Sequence, residues 1–255
     1  RSTPKPSSAA SDVYKRQGTP SVNNPHPQKG FLYNGAKNPD LDRFFLSPSH
    51  YALTLYAALI ETKRLNDKSL KEFNKDGSVL DMIGSEHSPG HETNGGSFGQ
   101  TISQAAGVAW ARRRKKEKGL VWLFLSDGEF QEGQTWEALM SMAFHKISNL
   151  KIVVDVNGQQ VDGKTCDVMN LEPLLEKISS FGACVKQVDG HDLVALNNAF
   201  RTIHQDKPLV VLAKTSPFRG MEILEKRYPF LHYVRIKDEN EKEEFKSFLN
   251  DMKFR

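Results

Sequence analysis

Two short stretches carry residue types that can do chemistry together. Ser126-Asp127-Gly128-Glu129 follows the apolar run LVWLFL (120–125), and Asn157-Gly158 follows KIVVDV (151–156). Both runs read as strands. In an open parallel sheet, adjacent strand ends meet along one edge, and such folds bind ligands there. A carboxylate from one strand end and an amide oxygen from the next can hold one hard cation. Mg²⁺ takes oxygen ligands in near-octahedral geometry and usually shares them with a phosphate. Gly128 leaves room for a phosphate to approach the backbone, and a helix beginning near Gln131 would aim its N-terminal amides at it. The pattern reads as an anchor for a metal and a diphosphate. The plainer reading is a pair of ordinary turns, since Asp-Gly and Asn-Gly both suit them.

The elements that must position these residues follow from periodicity. The central unit is strand 120–125, helix 134–147 and strand 151–156, with Trp136, Leu139, Met140, Ala143 and Ile147 at a 3.6-residue period. A second unit follows, with helix 171–180, strand 183–188, helix 192–204 and strand 209–214. Upstream, 49–64 is predicted helical with Leu53, Tyr56, Ala57 and Ile60 on one face. Residues 67–77 suggest a short helix and a turn. A Gly- and Pro-rich loop over 85–100 precedes a helix at 101–116. Alternating strands and helices predict an α/β fold, a doubly wound parallel sheet with helices on both faces.

The stretch SDGEFQEGQTWEALMSMAFHKISNLKIVVDVNGQQVDGKT resembles the thiamine-diphosphate motif of transketolases, with Ser126 where that family usually has glycine. NPDLDRFFLSPSHYALTLYAAL (38–59) resembles the family's Asp-Arg-Phe-x-Leu-Ser-x-x-His segment. ETNGGSFGQTISQAAGVAWA (92–111) resembles its Gly-rich turn and following helix, and VDGHD (188–192) and LVVLAKT (209–215) fit its later strands. The nearest resemblance is to the short N-terminal subunit of two-chain bacterial transketolases, and it covers roughly residues 31–235.

The resemblance implies a thiamine-diphosphate-binding fold with Mg²⁺ (or Ca²⁺) held by Asp127, Asn157 and the backbone carbonyl of Gln159. Gly128 and Glu129 fall in the diphosphate turn. Gly96, Ser97 and Phe98 match the turn that contacts the aminopyrimidine ring, with Glu92 nearby. Glu132 and Glu137 match glutamates at the subunit interface that couple two cofactor sites, although acidic residues also suit a helix N-terminus for its dipole alone. His50 matches a histidine lining the substrate funnel, and His232 lies where the family often has Trp-His-Gly. His87 and His91 compete for a further histidine, and the order Pro89-Gly90-His91 favours His91. His191, in VDGHD, is expected to be a structural cap.

The remaining features bound the function class. The chain has 255 residues and a formal charge of +4, which demands no acidic partner. RRRKKEK (112–118) reads as a solvated helix end rather than a nucleic-acid site, because no aromatic residues interleave it. Cys166 and Cys184 match no metal spacing, no run approaches the roughly 20 apolar residues of a membrane span, and no signal-peptide core opens the chain. A cytoplasmic protein with neither nucleic-acid nor membrane partners is expected. Residues 1–30 read as a disordered or extraneous segment, 31–235 as the cofactor and metal domain, and 236–255 as a charged tail or helix. The family's pyrimidine-activating glutamate comes from another domain, and the roughly 40 residues after 215 are too few to form one. The resemblance therefore implies a C-terminal subunit carrying the pyrimidine-binding domain, assembly as a dimer of heterodimers, and sugar-phosphate substrates for ketol transfer.

Overall fold

The structure, a computed structural model, describes residues 38–253. The segment 1–30 and the first residues of the expected domain, 31–37, lie outside the described residues. Strands β1 (Arg43–Leu46), β2 (Val121–Ser126) and β3 (Leu150–Val156) are followed by a small antiparallel hairpin, β4 (Gln159–Gln160) and β5 (Gly163–Lys164). Strands β6 (Cys184–Asp189) and β7 (Leu209–Lys214) complete a five-stranded sheet in the order β1-β2-β3-β7-β6, with every neighbouring pair parallel. The helices are α1 (Ala52–Glu61), α2 (Gln100–Arg114), α3 (Gly133–Phe144), α4 (Thr165–Met169), α5 (Leu174–Ser180), α6 (Leu193–Phe200) and α7 (Glu239–Lys253).

Strand residues alternate between two cores, as the two-residue side-chain period requires. Leu123, Leu125, Ile152, Val154, Val210 and Leu212 pack with α2, α3 and α5 on one face. Trp122, Val153, Leu209, Val211 and Ala213 pack with α1 and α6 on the other. The connections β2–β3 and β3–β6 advance across the sheet, with α3 and α5 on the first face. The β6–β7 connection steps back, and α6 covers the opposite face. A right-handed crossover must change face when its direction reverses. All these strands therefore end on one edge.

The expected fold class is the one observed, with local differences. Strand β1 was not predicted; its four residues are too short to show a period. The span 49–64 opens with a 3₁₀ turn (Ser49–Tyr51), and α1 ends at Glu61. The buried face of α1 is Ala52, Leu55, Tyr56, Ala58 and Leu59, whereas Leu53 is 47% exposed. Apolar residues surround this helix, so periodicity alone does not choose its face. In α3 the buried residues are Thr135, Ala138, Leu139 and Met142, while Met140 faces out. The predicted helix 171–180 begins only at Leu174, after Pro173, since proline suits a helix start but not its interior. Helix α6 is shorter than predicted and starts where the Asp192 side chain accepts from the amides of Val194 and Ala195.

Candidate functional site

The end of β2 does not run straight into a helix. Asp127–Gln131 form a 3₁₀ turn, and α3 starts at Gly133. This corrects the helix expected from Gln131. The reason lies in Glu129, which is fully buried and closes a capping box with Ser126. Its carboxylate accepts from the Ser126 amide (3.1 Å) and the Ser47 hydroxyl, and its backbone carbonyl accepts from Thr135 Oγ1 (2.7 Å). Burial pushes the Glu129 carboxyl up to about 7, with the Ser47, Ser126 and Gly99 hydrogen bonds opposing. Glu129 was expected among cofactor contacts, but its side chain points inward and ties the ends of β1 and β2 to the start of α2.

Asp127 is 2% exposed. Its Oδ1 accepts from the Gly128 amide (2.9 Å), and its Oδ2 accepts from the Gly158 amide (2.9 Å) and Thr165 Oγ1 (3.4 Å). The first of these bonds is local, but the second joins the β2 end to the β3 end, so the two motifs read from the sequence do meet. Burial raises the Asp127 carboxyl to about 7, with Asp155 adding to the shift and the three donors opposing it. Asn157 Oδ1 accepts from the Gln159 amide (2.9 Å), and its Nδ2 donates to Tyr51 Oη (3.1 Å) and Asp155 Oδ2 (3.0 Å). Thr215 Oγ1 donates to Asp155 Oδ1 (2.5 Å). The Tyr51 hydroxyl is pushed well above its usual range by burial and by Asp155.

The Gly-rich loop lies against this edge. Gly96 has φ +90° and donates its amide to the Ser47 carbonyl (3.1 Å). A Cβ on Gly95 would sit 2.3 Å from Ser49 Oγ and 2.7 Å from the Ser47 carbonyl oxygen, so only glycine fits there without displacement. Ser97 is exposed. The Phe98 ring lies 5.9 Å from that of His50, which in turn lies 5.3 Å from His232. Desolvation and the neighbouring His232 lower the His50 pKa. His50, His232 and Phe98 thus form one cluster.

Other expected residues go elsewhere. His91 is 1% exposed and meets Tyr56 edge to face with centroids 6.4 Å apart, and neither ring nitrogen has a hydrogen-bond partner among the described residues. His87 is exposed beside Glu86. The Glu92 carboxylate pairs in two-pronged fashion with Arg43 on β1. Glu132 caps α3 through its backbone and, like Glu137, is exposed. His191 Nε2 accepts from the Ser216 amide (2.8 Å), the structural cap expected of it. In the basic run, Arg112 binds the carbonyls of Pro39 and Leu41 and pairs with Glu117. Among the described residues no helix is long and apolar enough to cross a membrane.

The arrangement suits a divalent cation and a phosphate. No group of three His, Cys, Asp or Glu side chains gathers among the described residues. The donors at the strand ends are instead a carboxylate, an amide oxygen and backbone carbonyls, the oxygen set a hard cation takes. Asp127 is an acid whose carboxyl burial pushes up, Gln159 Oε1 is buried with no hydrogen-bond partner among the described residues, and a Cβ on Gly128 would meet nothing nearer than Gln160 Cβ at 3.6 Å. Sequence reasoning missed Tyr51, Asp155, Thr165 and Thr215. Asp155 alone left a signal, as a charged residue inside an apolar strand.

This fold, with its strand-end acid and Gly-rich turn, defines an α/β domain that binds a phosphorylated cofactor. Residues 29–221 match the family model described as the transketolase, thiamine diphosphate binding domain. The chain belongs to the transketolase family. It is 41% identical over 199 residues to an uncharacterised transketolase family protein of Sinorhizobium fredii, covering 76% of this chain and 71% of that one. It is 32% identical over 206 residues to an apulose-4-phosphate transketolase subunit of Actinobacillus succinogenes, covering 80% and 75%. The solved transketolase of Campylobacter jejuni shares the fold, with a TM-score of 0.67 and 21% identity over 86% of this chain. The match spans 39% of that enzyme.

Proposed function

We propose that this chain is the cofactor-anchoring subunit of a two-chain transketolase. It would transfer a two-carbon ketol group from a ketose phosphate to an aldose phosphate. The observation that carries the reading is the Asp127 carboxylate, buried at the β2 end and hydrogen-bonded to the Gly158 amide at the β3 end. Asp127, Asn157 Oδ1 and the Gln159 carbonyl would hold Mg²⁺ or Ca²⁺, and the glycine at 128 would admit the diphosphate. Gly96, Ser97 and Phe98 would contact the aminopyrimidine ring. Bound thiamine diphosphate supplies the nucleophilic carbon and the electron sink for breaking a carbon–carbon bond beside a carbonyl.

The His50–His232 pair would meet the sugar hydroxyls. Its lowered proton affinity keeps His50 neutral at physiological pH, able to accept a proton from a hydroxyl and return it. Glu132 and Glu137, exposed at the start of α3, would face the second subunit. That subunit would supply the pyrimidine-binding domain and most of the phosphate-binding groups, in a dimer of heterodimers, within the cytoplasm. Residues 31–235 would form the cofactor domain, with the α7 region appended.

The test is Asp127→Ala in the full chain, with and without a reconstituted partner. Binding of thiamine diphosphate with Mg²⁺ should weaken at least tenfold, about 1.4 kcal/mol, and ketol transfer at low cofactor should vanish. Unchanged binding would refute the anchor.

A further inference from the structure

Asp155 lies at the end of β3, and Asn157, two positions on, is the residue just after the strand. In a strand that spacing puts both side chains on the same face. There Asn157 Nδ2 has two acceptors, Asp155 Oδ2 at 3.0 Å and Tyr51 Oη at 3.1 Å, one for each of its hydrogens. Asp155 is held in turn by the hydroxyls of Tyr51 (3.1 Å) and Thr215 (2.5 Å). Turning the amide over would set Asn157 Oδ1 against these two oxygens and leave its NH₂ facing the Gln159 amide, a donor against a donor. Only one orientation satisfies every group. In it, Oδ1 faces the 157–159 turn, whose Gly158 amide also holds Asp127 Oδ2.

We propose that Asp155, assisted by the Tyr51 hydroxyl, is a positioning residue that fixes the Asn157 amide with its oxygen toward the cation. This rests on the reading of Asn157 as a metal ligand. The Tyr51–Asp155–Thr215 group also lines a cavity of about 60 Å³ with Thr54, Phe124 and Gly190.

The test uses Mn²⁺ as a spectroscopic probe. Its affinity for the full chain with thiamine diphosphate is titrated by electron paramagnetic resonance. Asp155→Asn should weaken Mn²⁺ binding about 10- to 100-fold, the usual effect of losing a partner that orients a ligand. Asn157→Asp should also weaken it, because two carboxylates then face each other. Combining the two substitutions restores a donor opposite an acceptor and should recover wild-type affinity, which a purely structural role for Asp155 does not predict. Asp127→Ala is the control for the site itself.

If Asp127→Ala abolishes binding while Asp155→Asn leaves it unchanged, the positioning role is overturned and the anchor stands. If the double variant fails to recover, the positioning role is likewise overturned. If Asp127→Ala itself binds normally, the anchor and the positioning role fall together. Should Asp155→Asn not fold, Tyr51→Phe removes one amide acceptor and should weaken Mn²⁺ several-fold; wild-type affinity there overturns the proposal.

Discussion

Acidification should destabilise this domain through His91. The imidazole is 1% exposed, and among the described residues neither of its nitrogens has a hydrogen-bond partner. Gly84 presses so closely that an added Cβ would lie 2.0 Å from Nε2, which leaves little room for hydration of a charged ring. Burial lowers the pKa from 6.5 to about 4. Well above pH 6.5 neither the folded nor the unfolded form carries the proton, and His91 contributes no pH dependence. As the pH falls, the unfolded chain takes up the proton first, so stability declines until the folded form also titrates near pH 4. The full loss is about 3 kcal/mol, of which about 2 kcal/mol is lost by pH 5. Urea unfolding of wild type and His91→Phe at several pH values between 4 and 8 isolates this contribution, because the other titrating groups cancel in the difference. The stability gap should shift in favour of the variant by that amount between pH 7 and pH 5. A gap that stays constant across the range would refute the reasoning.

Three further outcomes follow from contacts already described. Gly95→Ala should destabilise the domain by about 1–3 kcal/mol and weaken cofactor binding, because the new Cβ collides with Ser49 and the Ser47 carbonyl; chemical denaturation and calorimetry measure both. Arg43→Leu should cost about 3 kcal/mol by stranding Glu92, whose side chain is 2% exposed; adding Glu92→Leu should recover part of the loss in the same unfolding assay. Ending the chain at Lys237 should lower the melting temperature by no more than a few degrees, since every described side chain of α7 is exposed or half-buried and, among the described residues, its ion pairs to the rest of the chain go to the 222–227 turn.

What was legible in the sequence was whatever repeats or clusters. The apolar runs before Asp127 and Asn157 gave β2 and β3 almost to the residue, and LVVLAK gave β7. Those runs are buried on both faces, so composition alone marks them. Strand β1 escaped because it is an edge strand of four residues with partners on one side only. The faces of α1 and α3 differ from expectation for another reason: where apolar residues occupy most of the circumference, the period carries little information about direction. Asp127 and Asn157 stood out by type and place. Glu129 did not reveal that its side chain turns inward, because that depends on Ser47, 82 positions away. His91, expected with His50, was drawn into the core beside Tyr56, a contact that adjacency to Pro89-Gly90 gives no hint of.

The candidate site draws on chain segments near residues 47–50, 95–99, 127–131 and 157–165, each anchored to a different strand end or helix start. No local portion of the chain can assemble it in advance, so competence to bind arises only when the sheet has closed. Occupancy is then coupled to the cooperative unfolding of the whole domain rather than to local fraying. At a hundred times its dissociation constant, a ligand seated there would raise the global unfolding free energy by about 2.7 kcal/mol. Amide hydrogen exchange should register it as slowed exchange in β3 and β7 as well as in the loops that touch the ligand.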